Sequence, residues 1–368
     1  MWVFNFRGTN YFVFIILIFS SFLVSAQTKS LHIYNWSDYI APDTISKFRQ
    51  LTGTRVTYDV FDSNEVLDGK LIAGNTGFDI VVPTDSFLAR QINSNIYLAL
   101  DKSRLPNYHN LDVSLLELMK KHDPDNTYSI PYMWQSTGIG YNIDKVKEIL
   151  GDDAPLNSWD LIFKPENLQK LQRCGVAFLD APSEVFPTVL NYLGYDPNSQ
   201  NEKDYLVATK LLEKLRPYVT YFHSSKYITD LSSGDICVAI AWTGDVMQAA
   251  MAAQEAKNGV NIGYIIPKEG AIISFDVLAV PKSARNVDAA YEFLNYLLEP
   301  KVIADISNHI YYANANSCSY PYLNEDVYNN PSIYPPDSVM KNLFPMLEQP
   351  PNIDRLMVRL WTRILTNK

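Results

Sequence analysis

An α/β fold in two lobes is what this 368-residue sequence predicts, and three observations carry the prediction. Apolar strand-like runs alternate with amphipathic helical stretches from about residue 31 onward, the pattern of helices packed on a largely parallel sheet. The rhythm breaks at "YSIPYMWQSTGIGYNID", an extended, Gly-punctuated, aromatic stretch that reads as a strand crossing out of a first domain. The alternation then resumes. With 47% hydrophobic and 13% aromatic residues, the chain can bury more than one core.

The elements follow in order. "LHIYNW" alternates and stops, and "APDTISKFRQLTG" reads as a helix with Ile45, Phe48 and Leu51 on one face and Gly53 closing it. "RVTYDVFD" alternates as a strand, and "SNEVLDGKLIAGN" is helical with Ser63 or Asn64 as its cap. "FDIVVP" is nearly continuous in apolar residues, as in a strand covered on both faces, and "SFLARQINSNI" is helical again. Beyond the crossing strand, "PENLQKLQ", "FPTVLNYLG", "DYLVATKLLEKLRPYV", "ITDLSSGD" and "DVMQAAMAAQEAKNG" read as helices around the strands "GVAFLD" and "ICVAIAW". "GVNIGYIIPKEGAIISFDVLAVPKSA" returns to strands, "VDAAYEFLNYLLEPKVIADISNH" reads as one long helix, and "NIDRLMVRLWTRILTN" puts Ile353, Leu356, Leu360 and Ile364 on one face. The division expected is 27–137 plus about 259–310 as the first lobe and 138–258 plus about 311–368 as the second.

Residues 1–26 differ from the rest. Arg7 precedes the apolar run "YFVFIILIFSSFLV", and Ser25-Ala26 supplies small residues, which reads as a secretory signal peptide cut after Ala26; an uncleaved anchor is the alternative. Removal takes away one Arg and no acid, so the formal charge goes from -9 to -10. An acidic surface argues against nucleic acid and anionic membranes as partners. Of the three cysteines, Cys174 and Cys237 both stand where strands of one region begin, which favours pairing them and leaves Cys318 over; three buried free thiols are the alternative.

Acids and aromatics recur together at strand ends. "NWSDY" gives Trp36, Ser37, Asp38 and Tyr39; "VVPTDS" gives Thr84, Asp85 and Ser86; "FLDAPSE" gives Asp180 and Glu184. "IAWTGD" gives Trp242 and Asp245, "SFDV" gives Phe275 and Asp276, and "YYANAN" gives Tyr311 and Tyr312. Each has a plainer reading: Asp38 or Asp245 as a helix cap, either Trp as core packing, Asp180 as a turn residue. Asp276 resists one, because it interrupts the apolar run "IISFDVLAV", where an unpaired charge is costly. Carboxylates pair with ammonium groups and aromatic faces attract cations, so the set suits an organic cation with more than one positive end. The motifs of common hydrolases, zinc proteases and nucleotide-binding enzymes are absent, and five His show no metal-pair spacing, so no catalysis, metal or cofactor is expected.

At these residues the chain resembles the periplasmic polyamine-binding proteins of ABC transporters, the putrescine-binding members above all. "LHIYNWSDYIAPDT", "YDVFDSNEVLDGKL", "PYMWQSTGIGYN", "NSWDLIFKPENL", "FLDAPSEVFPTVLNYLG", "YFHSSKYI", "GDICVAIAWTGDV" and "YYANAN" carry the resemblance, which runs from about Leu31 to the C-terminus. It implies a type II periplasmic-binding-protein fold, two lobes joined by crossing hinge strands, with a diamine or polyamine in the cleft and delivery to an ABC permease of the inner membrane by a monomeric receptor. It also implies the Cys174–Cys237 disulfide. The contacts it carries over are Trp36, Ser37, Asp38, Tyr39, Thr84, Glu184, Trp242, Asp245, Asp276 and Tyr312. Two positions depart from the pattern: Ser274 where the putrescine binders have Phe, and Asp85 where a small residue is usual. They leave the choice among putrescine, cadaverine, agmatine and spermidine open. An iron receptor of the same fold, using Tyr311, Tyr312 and His309, is the alternative, and a polyamine sensor is another.

Overall fold

Two long strands organise the computed structural model, which describes residues 29–366. The signal peptide expected over 1–26 lies outside the described residues. The strands are β1 (Ser30–Trp36), β2 (Arg55–Phe61), β3 (Ile80–Val81), β4 (Ser129–Asn142), β5 (Val176–Phe178), β6 (Tyr221–Phe222), β7 (Val238–Trp242), β8 (Ile262–Ile265), β9 (Ala271–Ala279), β10 (Ala313–Asn314) and β11 (Leu343–Pro345). They join in the order β2-β1-β3-β9-β4-β7-β5-β6, with β10 and β8 on β4 and β11 on β9. The β1–β2, β1–β3, β5–β6 and β5–β7 pairs are parallel, while β4 and β9 run antiparallel to each other.

β4 changes partners along its length. Its first part, Ser129–Thr137, pairs with β9, and its second part, from Thr137 on, pairs with β7 and β8. Every one of its 14 residues is buried, as a strand passing between two lobes must be. The register slips between Pro131 and Met133, opposite Val277 and Asp276. A bulge is where a central strand tolerates a proline, and it re-aims the side chains beside it.

Most expected elements form. Gly53 caps the helix Thr44–Thr52 with φ 72, a left-handed backbone that suits glycine, and Ser63 accepts from Val66 N at the start of Asn64–Ala73. The apolar face expected of the first helix is corrected at one end. Thr44 and Phe48 are buried, but Leu51 is 70% exposed, because the inward stripe follows i, i+4 through Phe48 rather than running on to 51. The single long helix expected after residue 286 is two, Val287–Leu297 and Pro300–Ile310. Pro300 lacks the N–H that would continue the first and serves as the first residue of the second. Ile353, Leu356, Leu360 and Ile364 are all buried along the last helix, Pro351–Thr366. Cys174 and Cys237 form a disulfide with Cα atoms 5.4 Å apart, and Cys318 is exposed and unpaired.

Candidate functional site

The ends of β1 and β7 face each other. Trp36 closes β1 and Trp242 closes β7, and their ring centroids lie 5.7 Å apart in an edge-on arrangement. Phe61, at the end of β2, backs Trp36 at 4.6 Å. After β1 the chain turns through Asp38, whose φ of 54 is left-handed, and this turn sends Tyr39 inward. Tyr39 then packs edge-on against Tyr312 at 4.7 Å. Tyr312 approaches so closely that a Cβ on Gly244 would lie 1.9 Å from its ring, so only glycine fits at the start of the helix Thr243–Ala256.

Two carboxylates sit in this aromatic frame. Asp276 accepts hydrogen bonds from Tyr39 Oη at 2.7 Å and Thr84 Oγ1 at 2.9 Å; Thr84 is itself fixed by Asn64. Asp245 accepts from Tyr312 Oη at 2.6 Å and from Tyr227 Oη. Among the described residues, no basic side chain meets either acid. Burial pushes Asp276 up to about 7 and Asp245 up to about 6, against the hydroxyls that pull them down. Glu184 accepts from Thr137 Oγ1 at 2.7 Å, and burial pushes it up to about 7. The indole of Trp242 lies near Glu184, but its N–H, like that of Trp36, makes no hydrogen bond of normal geometry among the described residues.

Asp245 and Asp276 line a common cavity. Trp36, Ser37, Tyr39, Trp242 and Tyr312 line it with them, so seven residues singled out from the sequence converge. Thr84 and Glu184 stand behind the wall, each one hydrogen bond from it or from its strand. Asp38 is exposed and outside the lining, and it does not cap the helix, whose cap position is Asp43. Asp180 accepts from Trp361 Nε1 at 2.7 Å and so anchors the last helix instead. Phe275 points to the other face of β9, where Trp134 lies across from it at 6.5 Å.

The remaining wall comes from Phe61, Asp62, Gln135, Ser224, Ser225 and Ile228. Asp62 accepts from Ser37 Oγ at 2.6 Å and ends β2 as Asp38 ends β1, so the strand-end pattern of acids would have found it. Gln135 lies mid-strand in β4 and gave no local signal. The two departures from the resemblance fall in different places. Asp85 is buried behind Asp276, 3.3 Å from His122 Nε2, and burial pushes Asp85 up to about 7 and His122 down to about 4. Ser274 is fully buried two residues before Asp276.

Another cavity opens elsewhere on the seam, but its cation Arg90 is already held at 2.9 Å by both Asp68 and Asp354. The ferric reading needs two tyrosinates from Tyr311 and Tyr312. Tyr312 donates its proton to Asp245, and burial with that acid pushes it well above the ordinary tyrosine value, so it stays protonated.

The model of the bacterial extracellular solute-binding protein family matches residues 43–335. The chain belongs to that family. As a solute-binding protein it is a receptor rather than an enzyme. Among known solute-binding proteins, it is 61% identical to the putrescine-binding periplasmic protein PotF of Escherichia coli over 94% of each chain. It is 44% identical to a putrescine/agmatine-binding protein of Pseudomonas aeruginosa, over 93% of each. The solved structure of a spermidine/putrescine ABC transporter protein from Listeria monocytogenes superimposes with a TM-score of 0.83 at 32% identity, covering 92% of this chain and all of that one. Both the type II fold and its two lobes accord with these relatives, and the ferric alternative does not.

Proposed function

We propose that this chain is a periplasmic receptor that captures a diamine, putrescine first among them, and delivers it to an ABC permease in the inner membrane. One observation carries the reading: Asp245 and Asp276, both buried and both without a basic neighbour among the described residues, line one cavity whose sides are Trp36 and Trp242. Such acids are stable as anions only when a cation arrives, and flat rings on either side suit its methylenes and its charge. The match to putrescine-binding relatives supports the same substrate.

In this reading one ammonium meets Asp276 and Asp245, and the other is received toward Glu184, with Ser37 on the wall near Trp36. Tyr39, Thr84 and Tyr312 hold the two acids in place through their hydroxyls. Closure excludes water, which strengthens each charge contact. The lobes follow the change of partner in β4: 27–137 with about 259–310, and 138–258 with about 311–368. The pairing of β8 and β10 with β4 supports moving 262–265 into the second lobe and 313–314 into the first. The receptor acts as a monomer, needs no cofactor, and has no nucleic-acid partner. Calorimetric titration of ligand-stripped protein with putrescine tests the reading, together with mass spectrometry of whatever the purified protein releases on denaturation. A heat-silent titration with every linear diamine would refute it.

A further inference from the structure

Asp85, the first residue of the helix Asp85–Asn93, is a buried acid that stands outside the cavity wall. It follows Thr84, whose backbone bridges to Asp276 and whose hydroxyl donates to that carboxylate at 2.9 Å. The two acids are therefore held close together, and Asp276 feels the charge of Asp85 more than that of Asp245. Oδ1 of Asp85 accepts from Ser86 N at 2.9 Å. Oδ2 lies 3.3 Å from His122 Nε2, an atom with no hydrogen-bond partner among the described residues.

Among the described residues, none facing Asp85 supplies it with a counter-ion. From β9 it meets Asp276, another acid. From the segment after the helix Val113–Met119 it meets His122, which is 4% exposed. Burial, with Lys121 nearby, holds His122 down at about 4, so the imidazole is neutral from pH 5 to pH 8. Asp123 is occupied by the N–H groups of Thr127, Tyr128 and Ser129. From the helix Asn64–Ala73, Asp68 is engaged with Arg90, the cation of the helix that Asp85 begins. Burial thus pushes Asp85 up to about 7 against its backbone donors, leaving it neutral at pH 5 and an anion at pH 8. In so poorly polarisable a setting, charges attract strongly without touching.

We propose that Asp85 is a remote determinant of affinity, which draws the bound ammonium through space from behind Asp276 and does so only while ionised. The inference rests on the receptor reading above and adds to it a residue that never touches the ligand. Its contribution is absent at pH 5 and nearly full at pH 8. In the free protein the same charge helps to hold Asp276 raised.

Calorimetry of the ligand-stripped full chain with putrescine, at pH 5 and at pH 8, compares the unmodified protein with Asp85→Asn. Asparagine keeps the shape and the acceptor for Ser86 N but cannot ionise. The variant is expected to bind putrescine within about twofold of the unmodified protein at pH 5. At pH 8 it is expected to bind about tenfold more weakly, which corresponds to one unit of coupling between ionised groups. A residue that only shapes the start of its helix would weaken binding by the same factor at both pH values. That result, or equal affinity of the two proteins at pH 8, would overturn the proposal. A ligand-free measurement stands beside it. A group raised to about 7 contributes stability below its unfolded value near 4 and loses it as pH rises through 7. The melting temperature of Asp85→Asn is therefore expected to fall less between pH 5 and pH 8 than that of the unmodified protein, and an equal fall would also overturn the proposal. Should Asp85→Asn not fold, Asp85→Ala carries the same expectations. Absence of putrescine binding by the unmodified protein at pH 8 would instead bring down the receptor reading itself.

Discussion

Lowering the pH from 8 to 5 should release the ligand. Asp276 stands at about 7 and Asp245 at about 6, each raised by burial above its ordinary value near 4. A dication favours the ionised carboxylates, so protons must leave as it binds. For a group at about 7 that must ionise, affinity at pH 5 falls about a hundredfold, or about 3 kcal/mol, and a second group at about 6 adds about tenfold. Putrescine affinity is therefore expected to drop about a thousandfold between pH 8 and pH 5. The ligand-free protein should move the other way. Groups whose folded value is raised contribute stability that is fully present below about pH 4 and is lost as pH rises through 6 to 7. Its melting temperature is thus expected to fall between pH 5 and pH 8, and saturating putrescine should offset that fall. Calorimetry at several pH values measures the affinity, and repeating it in buffers of different ionisation heat counts the protons released, expected as one to two; a larger number would enlist Glu184, also at about 7. Affinity constant within about threefold from pH 5 to pH 8 would refute the reasoning, since the acids would then be ionised already or idle.

Three further outcomes follow from the same geometry. Asp276→Asn should weaken putrescine binding by about 2–5 kcal/mol, measured by calorimetry, while the ligand-free protein melts no lower at pH 8; unchanged affinity would remove Asp276 from the site. Gly244→Ala should abolish binding with the circular dichroism spectrum kept, because the added Cβ displaces the Tyr312 ring and breaks its 2.6 Å bond to Asp245; full affinity in this variant would show that Tyr312 is not needed. Reducing the Cys174–Cys237 disulfide, which closes a separation of 63 residues, should cost about 4 kcal/mol of stability in a denaturant titration, and an unmoved midpoint would contradict that.

The elements and most of the cavity wall were legible in local patterns along the chain. Local signals sufficed for β1, for the Ser63 and Gly53 caps, and for the acid-plus-aromatic strand ends at Trp36 and Trp242, because each is a short-range pattern of side-chain chemistry. Asp276 was legible because a charge in an apolar strand demands a reason. Which face each residue takes depended on how the strands pack. Phe275 and Asp276 are neighbours in sequence, yet the strand period sends one to Trp134 and the other to Tyr39 and Thr84. Gln135 enters the site only because β4 lies in register with β9, and Tyr312 meets Asp245 across 67 residues only because Gly244 leaves room for its ring. Pairing between distant strands is set by the packing of the whole chain, so no local window of sequence contains it.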